Sequence, residues 1–432
     1  MSNLLKTIIV DITPILPGGE NGGAKVFVLE LLSRLADMAP STQFILLTQA
    51  SAHDELQMMD RENMSRRMIT RVTGKKSFLA RGVAYIFRKL PRIPQRFSLL
   101  GYRIHARLRR HAIKQLLNEV NADLVFCPFT APTYVTPGIP TVCTIYDLQY
   151  KTYPAFFDAE DIANRSHAFT EACRRSSMLV AISDYSRQTA MKHGGVKPEH
   201  IQTVHLRMAK RIATDTPTDN ALLNKLGLVS QHYLLYPANY WMHKNHEMLL
   251  TAFKMACHQG GLGEDIKLVF TGAPGERQRW LLNAAKNMKL ESRVLFLGYL
   301  NNQELATVMN NCAGVVFPSL YEGFGLPILE AMAAGVPVAC SNTTSLPEVA
   351  EHAAIFFDPR IPTQIAEAMI TLVSDFERRK RLVSAGQERV ALFSDSNHMA
   401  KEYWDIFQRA FTGATHSKNA TVKAVSTEKE GV

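Results

Sequence analysis

The sequence predicts an α/β protein of two domains, each built on a parallel sheet. Three observations carry this. The chain has 432 residues, too many for one ordinary core and about right for two. Short apolar runs alternate with helical patterns along its whole length, as strand–helix–strand units do. Those runs are apolar on both faces, which suits strands buried between helix layers.

In the first half the runs fall near 7–11, 44–47, 124–127, 142–146, 179–182 and 203–205. In the second half they fall near 233–237, 267–271, 294–297, 314–318, 336–340 and 354–357. Between the halves, 207–220 is basic, then rich in Thr, Asp and Pro, and lacks apolar periodicity. It reads as a linker, so domains are expected over 1–208 and 221–395. Met399, Tyr403, Trp404, Ile406 and Phe407 stand at helical spacing within 397–411. A helix over 396–412 is expected to return onto the first domain. The polar stretch 413–432 is expected to be a disordered tail.

The composition, 46% hydrophobic and 20% charged, is that of a globular protein. No run approaches the roughly 20 apolar residues that cross a bilayer. The first strand pattern starts almost at once, without a small-residue cleavage site, so no signal peptide is read. The six cysteines, Cys127, Cys143, Cys173, Cys257, Cys312 and Cys340, form no CxxC pair. They read as buried thiols in a reducing, cytoplasmic compartment. No His or Cys cluster has the spacing of a zinc site.

The net charge of +10 is unevenly spread. The window 63–118 holds no Asp or Glu and fifteen Lys or Arg, which leaves −5 for the rest. Within it, Leu79, Val83, Ile86, Phe87 and Leu90 fall at helical spacing over 78–90, with Arg81 and Arg88 opposite. A second basic helical stretch covers 101–120. Two readings stay open: a helix pair on an anionic membrane surface, or a stripe packed on its own domain with solvated arginines. No base-reading motif accompanies the charge, so nucleic acid is not expected as a partner.

The most informative stretch is 317–338. A strand ends near Pro318, and Glu322, Gly323, Phe324 and Gly325 form a loop. Pro327 suits the first turn of a helix, where its missing N–H costs nothing, and Gly335 ends it. Free N–H groups and the positive end of the dipole at such a start suit a diphosphate. Glu322 and Glu330 flank this anion site. Carboxylates would repel a phosphate unless they bind something else, and sugar hydroxyls are the obvious partners. The alternative is two surface acids near a helix start.

The run PSLYEGFGLPILEAMAAGVPV, with seven residues between Glu322 and Glu330, resembles the signature of the retaining family 4 glycosyltransferases. The resemblance continues through Ser345 to Val349, Phe357 to Pro359, and Phe296 to Leu300, and is weaker in the first half. It implies the GT-B fold, two facing Rossmann-like domains with a cleft between them. It implies a retaining enzyme that moves a hexose, mannose or rhamnose favoured, from a nucleotide-diphosphate sugar to a glycan or lipid-linked acceptor. Glu330 would hydrogen-bond the donor ribose and Glu322 the transferred sugar. The backbone of Phe324, Gly325 and Leu326 would lie against the donor. The variant around Tyr236 to Glu247 points, by analogy only, to enzymes of bacterial O-antigen or exopolysaccharide synthesis. The site of action would then be the cytoplasm or the cytoplasmic face of the inner membrane.

Three further segments complete the expected site. Lys244, after the strand at 233–237, is placed to neutralise a departing diphosphate. The resemblance pairs it with an Arg five positions earlier, where this chain has Asn239, which can donate a hydrogen bond but brings no charge. Gly22 and Gly23, in the loop after the first strand, let backbone approach a phosphate; the spacing is not that of a dinucleotide-binding loop. Gly272 belongs to the region that reads the base. Asp147 ends the strand at 142–146, either binding the acceptor or capping a turn; many relatives carry a His before it, and this chain has Tyr146. Ser183 reads as a helix N-cap. No metal motif is evident, so no cofactor is expected and activity is expected to be metal-independent. The rival readings are a GT-B epimerase or phosphorylase, and a non-catalytic nucleotide-sugar-binding protein.

Overall fold

A computed structural model describes residues 5–18, 22–69, 117–210, 212 and 220–429, with side chains through 414. The helical stretches expected over 78–90 and 101–120 lie largely outside them.

The first sheet has seven strands: β1 Thr7–Asp11, β2 Gln43–Thr48, β3 Met64–Met68, β4 Leu124–Cys127, β5 Thr141–Ile145, β6 Met178–Ala181 and β7 Ile201–Thr203, in the order β3-β2-β1-β4-β5-β6-β7. The second has six: β8 Tyr233–Pro237, β9 Lys267–Thr271, β10 Val294–Phe296, β11 Gly314–Phe317, β12 Val338–Ser341 and β13 Ala354–Phe357, in the order β10-β9-β8-β11-β12-β13. Every pairing between these strands is parallel. Strands buried on both faces, such as the fully buried β4, β5, β11 and β12, are what continuous apolar runs demand.

Two expectations are corrected. β3 was not anticipated, because MSRRM is no apolar run; as an edge strand it exposes its second arginine, as edges commonly do. The seventh strand lies at Ile201–Thr203, not 203–205.

The helices that position the site are α1 Gly22–Met38, α2 Ala159–Arg175, α3 Asp184–Gly194, α4 His246–His258, α5 Glu276–Asn287, α6 Leu326–Ala333, α7 Phe376–Leu392 and α8 Ser396–Lys429. Their ends follow local chemistry. The Asp158 carboxylate accepts from Asp161 N at the start of α2, and Ser183 accepts from Ser186 N at the start of α3, both satisfying orphan N–H groups. α6 opens on Gly325 at φ +110°, a conformation that favours glycine.

α8 lays Met399, Tyr403, Ile406 and Phe407, all fully buried, onto the first domain. The Phe407 ring is 4.9 Å from Phe126 and the Tyr403 ring 6.2 Å from Phe27. Tyr403 Oη also meets Thr144 Oγ1 at 3.2 Å. The helix continues to Lys429, where the sequence led us to expect a tail without structure. No Gly or Pro interrupts 414–430, so nothing local ends it.

Strand order reverses between β1 and β4 and between β8 and β11. At such a switch point the connections diverge to opposite faces and leave a crevice at the carboxyl ends of the strands. The crevices of the two sheets face one another.

Candidate active site

A cleft of about 1050 Å³ lies between the domains. The first domain contributes Gly23, Asp147 and the Asp161, Asn164 and Arg165 face of α2; the second contributes Trp241, His243, Lys244, Arg277 and Glu322.

Its central feature is an ion pair. Lys244 Nζ donates to Glu322 Oε1 at 2.6 Å, with both side chains about one-tenth exposed. Lys244 leaves the end of β8 and Glu322 the end of β11, the two strands flanking the switch point. Their loops are tied to each other. Leu320 N donates to the His243 carbonyl at 2.8 Å. Tyr236 Oη donates to the Lys244 carbonyl at 2.8 Å. Asn245, at φ +59°, donates from Nδ2 to the carbonyls of Pro318 and Pro359. Ser345 Oγ donates to the carbonyls of Glu322 and Phe324 at 3.0 and 2.9 Å. Such a mesh holds the pair without help from a ligand.

Burial and the Lys244 charge act together on the neighbouring imidazoles. Burial, then Lys244, lowers His243 to about 4, and the same causes in the same order lower His246 to about 3. Both are therefore neutral near pH 7. Burial raises the Asp147 carboxyl above its ordinary range, while its Oδ1 accepts from Gln149 N at 2.9 Å. Asp147 thus caps the turn and also faces the cleft.

The loop at Glu322 touches the first domain directly. Ser183 Oγ donates to the Gly323 carbonyl at 2.8 Å, so this N-cap also reaches across the cleft. Ser186 Oγ donates to the Tyr146 carbonyl at 2.7 Å. Tyr321 Oη accepts from Leu148 N at 3.2 Å. A Cβ on Gly323 would stand 2.7 Å from the Tyr146 carbonyl oxygen, so only glycine permits this approach. Gly23 faces Leu326 across the same gap, and a Cβ there would lie 3.9 Å from Leu326 Cδ1. Gly22 opens α1 at φ +52°.

Several expected residues do not present their side chains to the cleft. Phe324, expected to act through its backbone, packs its ring into the core, 5.8 Å from Phe393. Glu330 is 2% exposed within α6 and does not line the cleft. Asn239 does not line it either; its Oδ1 accepts from Ala273 N at 2.9 Å. Gly272 lies beneath this bond at φ +145°, where a Cβ would meet the Ala238 carbonyl oxygen at 2.7 Å. Tyr146 lines the cleft with its hydroxyl buried and unpartnered, its ring stacked on Phe129 at 6.1 Å.

The sequence reading missed the α2 face, Tyr321 and Arg277. Arg277 had a signal: a cation in the first turn of a helix at the carboxyl edge of β9. The α2 face had none, because only the tertiary fold brings it to the cleft.

Among the described residues, one group has ligand atoms close enough to hold a metal ion, Asp184, His205 and Glu348. Its hydrogen bonds already account for it. The Glu348 carboxylate accepts from Asp184 N and Tyr185 N at 2.7 and 3.0 Å and meets His205 Nε2 at 2.7 Å. A carboxylate from the second domain thereby caps α3 of the first.

Two family models match this chain: "Glycosyltransferase Family 4" over residues 21–206 and "Glycosyl transferases group 1" over 221–389. The chain belongs to the family 4 glycosyltransferases. This glycosyltransferase is similar to O-antigen chain mannosyltransferase B of Escherichia coli, 26% identical over 86% of this chain and 92% of that one. It is 28% identical over 61% of its length to the serotype-specific mannosyltransferase WbdA of E. coli, of which it spans about a third, 33%. Its fold is that of solved GT-B structures. Anabaena HepE in complex with UDP and glucose superposes with TM-score 0.67 at 17% identity, covering 94% of this chain and all of that one. WaaG, a glycosyltransferase involved in lipopolysaccharide biosynthesis, superposes with TM-score 0.62 at 15% identity, covering 93% and 99%. In the glycosyltransferase the Glu322 and Asp147 loops thus come from opposite domains of a GT-B cleft. No described helix is long and apolar enough to cross a membrane.

Proposed function

We propose that this glycosyltransferase moves a hexose, mannose favoured, from a nucleotide-diphosphate sugar to a glycan or lipid-linked acceptor, with retention and without a metal, in surface polysaccharide synthesis. The observation that carries the reading is the Lys244–Glu322 pair at the second sheet's switch point, aimed at the first domain. The names of the mannosyltransferase relatives support the choice of sugar and pathway.

The donor diphosphate lies against the start of α6, where the backbone of Gly325 and Leu326 offers N–H groups. Lys244 offsets the charge that grows on the leaving diphosphate. Glu322 accepts from hydroxyls of the transferred sugar; Glu330, buried within α6 behind the cleft wall, is assigned to the donor ribose on the family resemblance alone. The acceptor hydroxyl enters from the Asp147 and α2 side and attacks the face that the nucleotide leaves, which gives retention. The departing phosphate takes its proton; His243, lowered to about 4 by burial and then by Lys244, is too weak a base to compete for it. Closure excludes water, which would otherwise compete with the acceptor. The basic stretch 63–118 holds an anionic acceptor or membrane surface.

The test is a thermal-shift panel of GDP-, UDP-, dTDP- and ADP-sugars on wild type and Glu330→Ala, followed by turnover with the donor that binds. A ligand of the native state raises the midpoint. One nucleotide series is expected to stabilise wild type and not the variant, and turnover is expected to survive EDTA and give a product of unchanged anomeric configuration. No stabilisation by any of these donors would sink the donor-site assignment, and an inverted product would sink retention.

A further inference from the structure

Among the described residues, the cleft wall contains three Lys or Arg side chains, and each is matched to a carboxylate. Lys244 holds Glu322 at 2.6 Å, Arg165 holds Asp161 at 2.9 Å, and Arg277 holds Glu247. A diphosphate carries about two negative charges, which favour drawing a cation out of one of these pairs. The three pairs differ in what such an exchange costs. Lys244 and Glu322 are about one-tenth exposed, whereas Arg277 and Glu247 are 31% and 30% exposed, which makes the second pair easier to open. The Arg165–Asp161 pair is an i,i+4 bridge on α2, on the opposite domain from the nucleotide reading.

Arg277 is also held in place for another partner. It is the second residue of α5 and lies in the cleft wall with Lys244. The loop before it is locked by the Asn239–Ala273 bond and by the close seat of Gly272 under Ala238. Its guanidinium lies over the Trp280 ring, 5.4 Å from the centroid, which keeps a planar fork at the mouth of the cleft.

We propose that Arg277 supplies the second cation for the donor diphosphate, leaving Glu247 when the nucleotide enters, with Asn239 acting as the residue that positions its loop. This rests on the donor-site reading above. A guanidinium that engages the distal phosphate of the donor binds a group that a monophosphate lacks, so its loss discriminates diphosphate from monophosphate, whereas the loss of a bridge between α5 and α4 would not.

The experiment is calorimetric titration of GDP, UDP, dTDP and ADP, and of the matching monophosphates, into wild type, Arg277→Met, Arg277→Lys and Glu247→Gln. For the base that wild type prefers, Arg277→Met is expected to weaken the diphosphate about 10- to 100-fold, the size of a lost charged hydrogen bond, and to leave the monophosphate within about twofold. Arg277→Lys keeps the charge without the fork and is expected to fall between; it carries the test if the methionine variant does not fold. Glu247→Gln, which breaks the same bridge, is expected to bind the diphosphate at least as well as wild type. Equal weakening of both nucleotides in Arg277→Met, no weakening, or an equal loss in Glu247→Gln would each overturn the role of Arg277 while leaving the donor site standing. Failure of wild type to bind any of the diphosphates would overturn the donor site and this inference with it.

Discussion

Burial sets the unusual acids and bases of this chain, and the sign of each effect can be followed with pH. Asp11 ends β1 with 1% of its surface exposed. Its Oδ1 accepts from Thr13 N and Oγ1 at 3.1 and 2.6 Å, while Oδ2 is buried without a partner. Burial, only partly countered by Thr13, raises it from 3.8 to about 6. The folded state then binds a proton that the unfolded chain has lost, so stability falls as pH rises from about 4 to 6. The shift corresponds to a loss on the order of 3 kcal/mol. His243 and His246 act with the opposite sign. Their folded pKa values of about 4 and 3 lie below 6.5, so their stability is present above 6.5 and lost as pH falls towards 4. Asp11→Asn isolates the first effect, since Asn can still accept from Thr13. In urea unfolding, the stability of Asp11→Asn minus that of wild type is expected to rise across pH 4 to 6 and stay level above it. A difference independent of pH would mean that Asp11 is ionised like any surface carboxylate.

Two glycines in one loop show how the elements at the switch point divide folding from closure. Gly325 starts α6 at φ +110°, and a Cβ there would meet Leu346 Cδ2 at 2.7 Å; both strain and crowding fall within the second domain. Gly323 has no such strain, and its crowding is with the Tyr146 carbonyl of the first domain. Gly325→Ala is therefore expected to lower thermal stability. Gly323→Ala is expected to leave the melting temperature nearly unchanged, keep donor affinity, and lower kcat/KM for transfer about 10- to 100-fold, because a small misplacement across a catalytic cleft has effects of that order. Transfer at the wild-type rate by Gly323→Ala would show that the two loops need not touch. This pair also marks how far the sequence could be read. The loop, the helix start and Glu322 were legible at 317–338, because strand, glycine and proline signals are local. The reason for Gly323, the latch from Glu348 to α3, and the α2 wall were not, because each depends on which distant chain the fold brings opposite. β3 was missed for a third reason: an edge strand needs no apolar run, and Arg66 and Arg67 hid it.

Across the whole molecule, the chain passes between domains twice, and the two crossings are bonded to each other. Ala209 N donates to the Phe393 carbonyl at 3.0 Å, and Arg207 Nη1 to the Leu392 carbonyl at 2.6 Å. α7 is anchored in the second domain, where Arg389 donates to the carbonyls of Val349 and Glu348 at 3.0 Å. α8, which follows it, is anchored in the first domain through Phe407 and Tyr403 on Phe126. The second crossing thus makes the first domain depend on residues that come after the second. Phe407→Ala leaves a cavity under a fully buried ring, and such truncations cost about 3–5 kcal/mol. The loss is expected to fall on the first domain alone. Guanidinium unfolding followed with a donor nucleotide bound to stabilise the second domain is then expected to separate into two transitions, the earlier one shifted by the substitution and the later one not. A single transition that moves as a unit would mean that the paired crossings and the Glu348 latch couple the domains more strongly than α8 divides them.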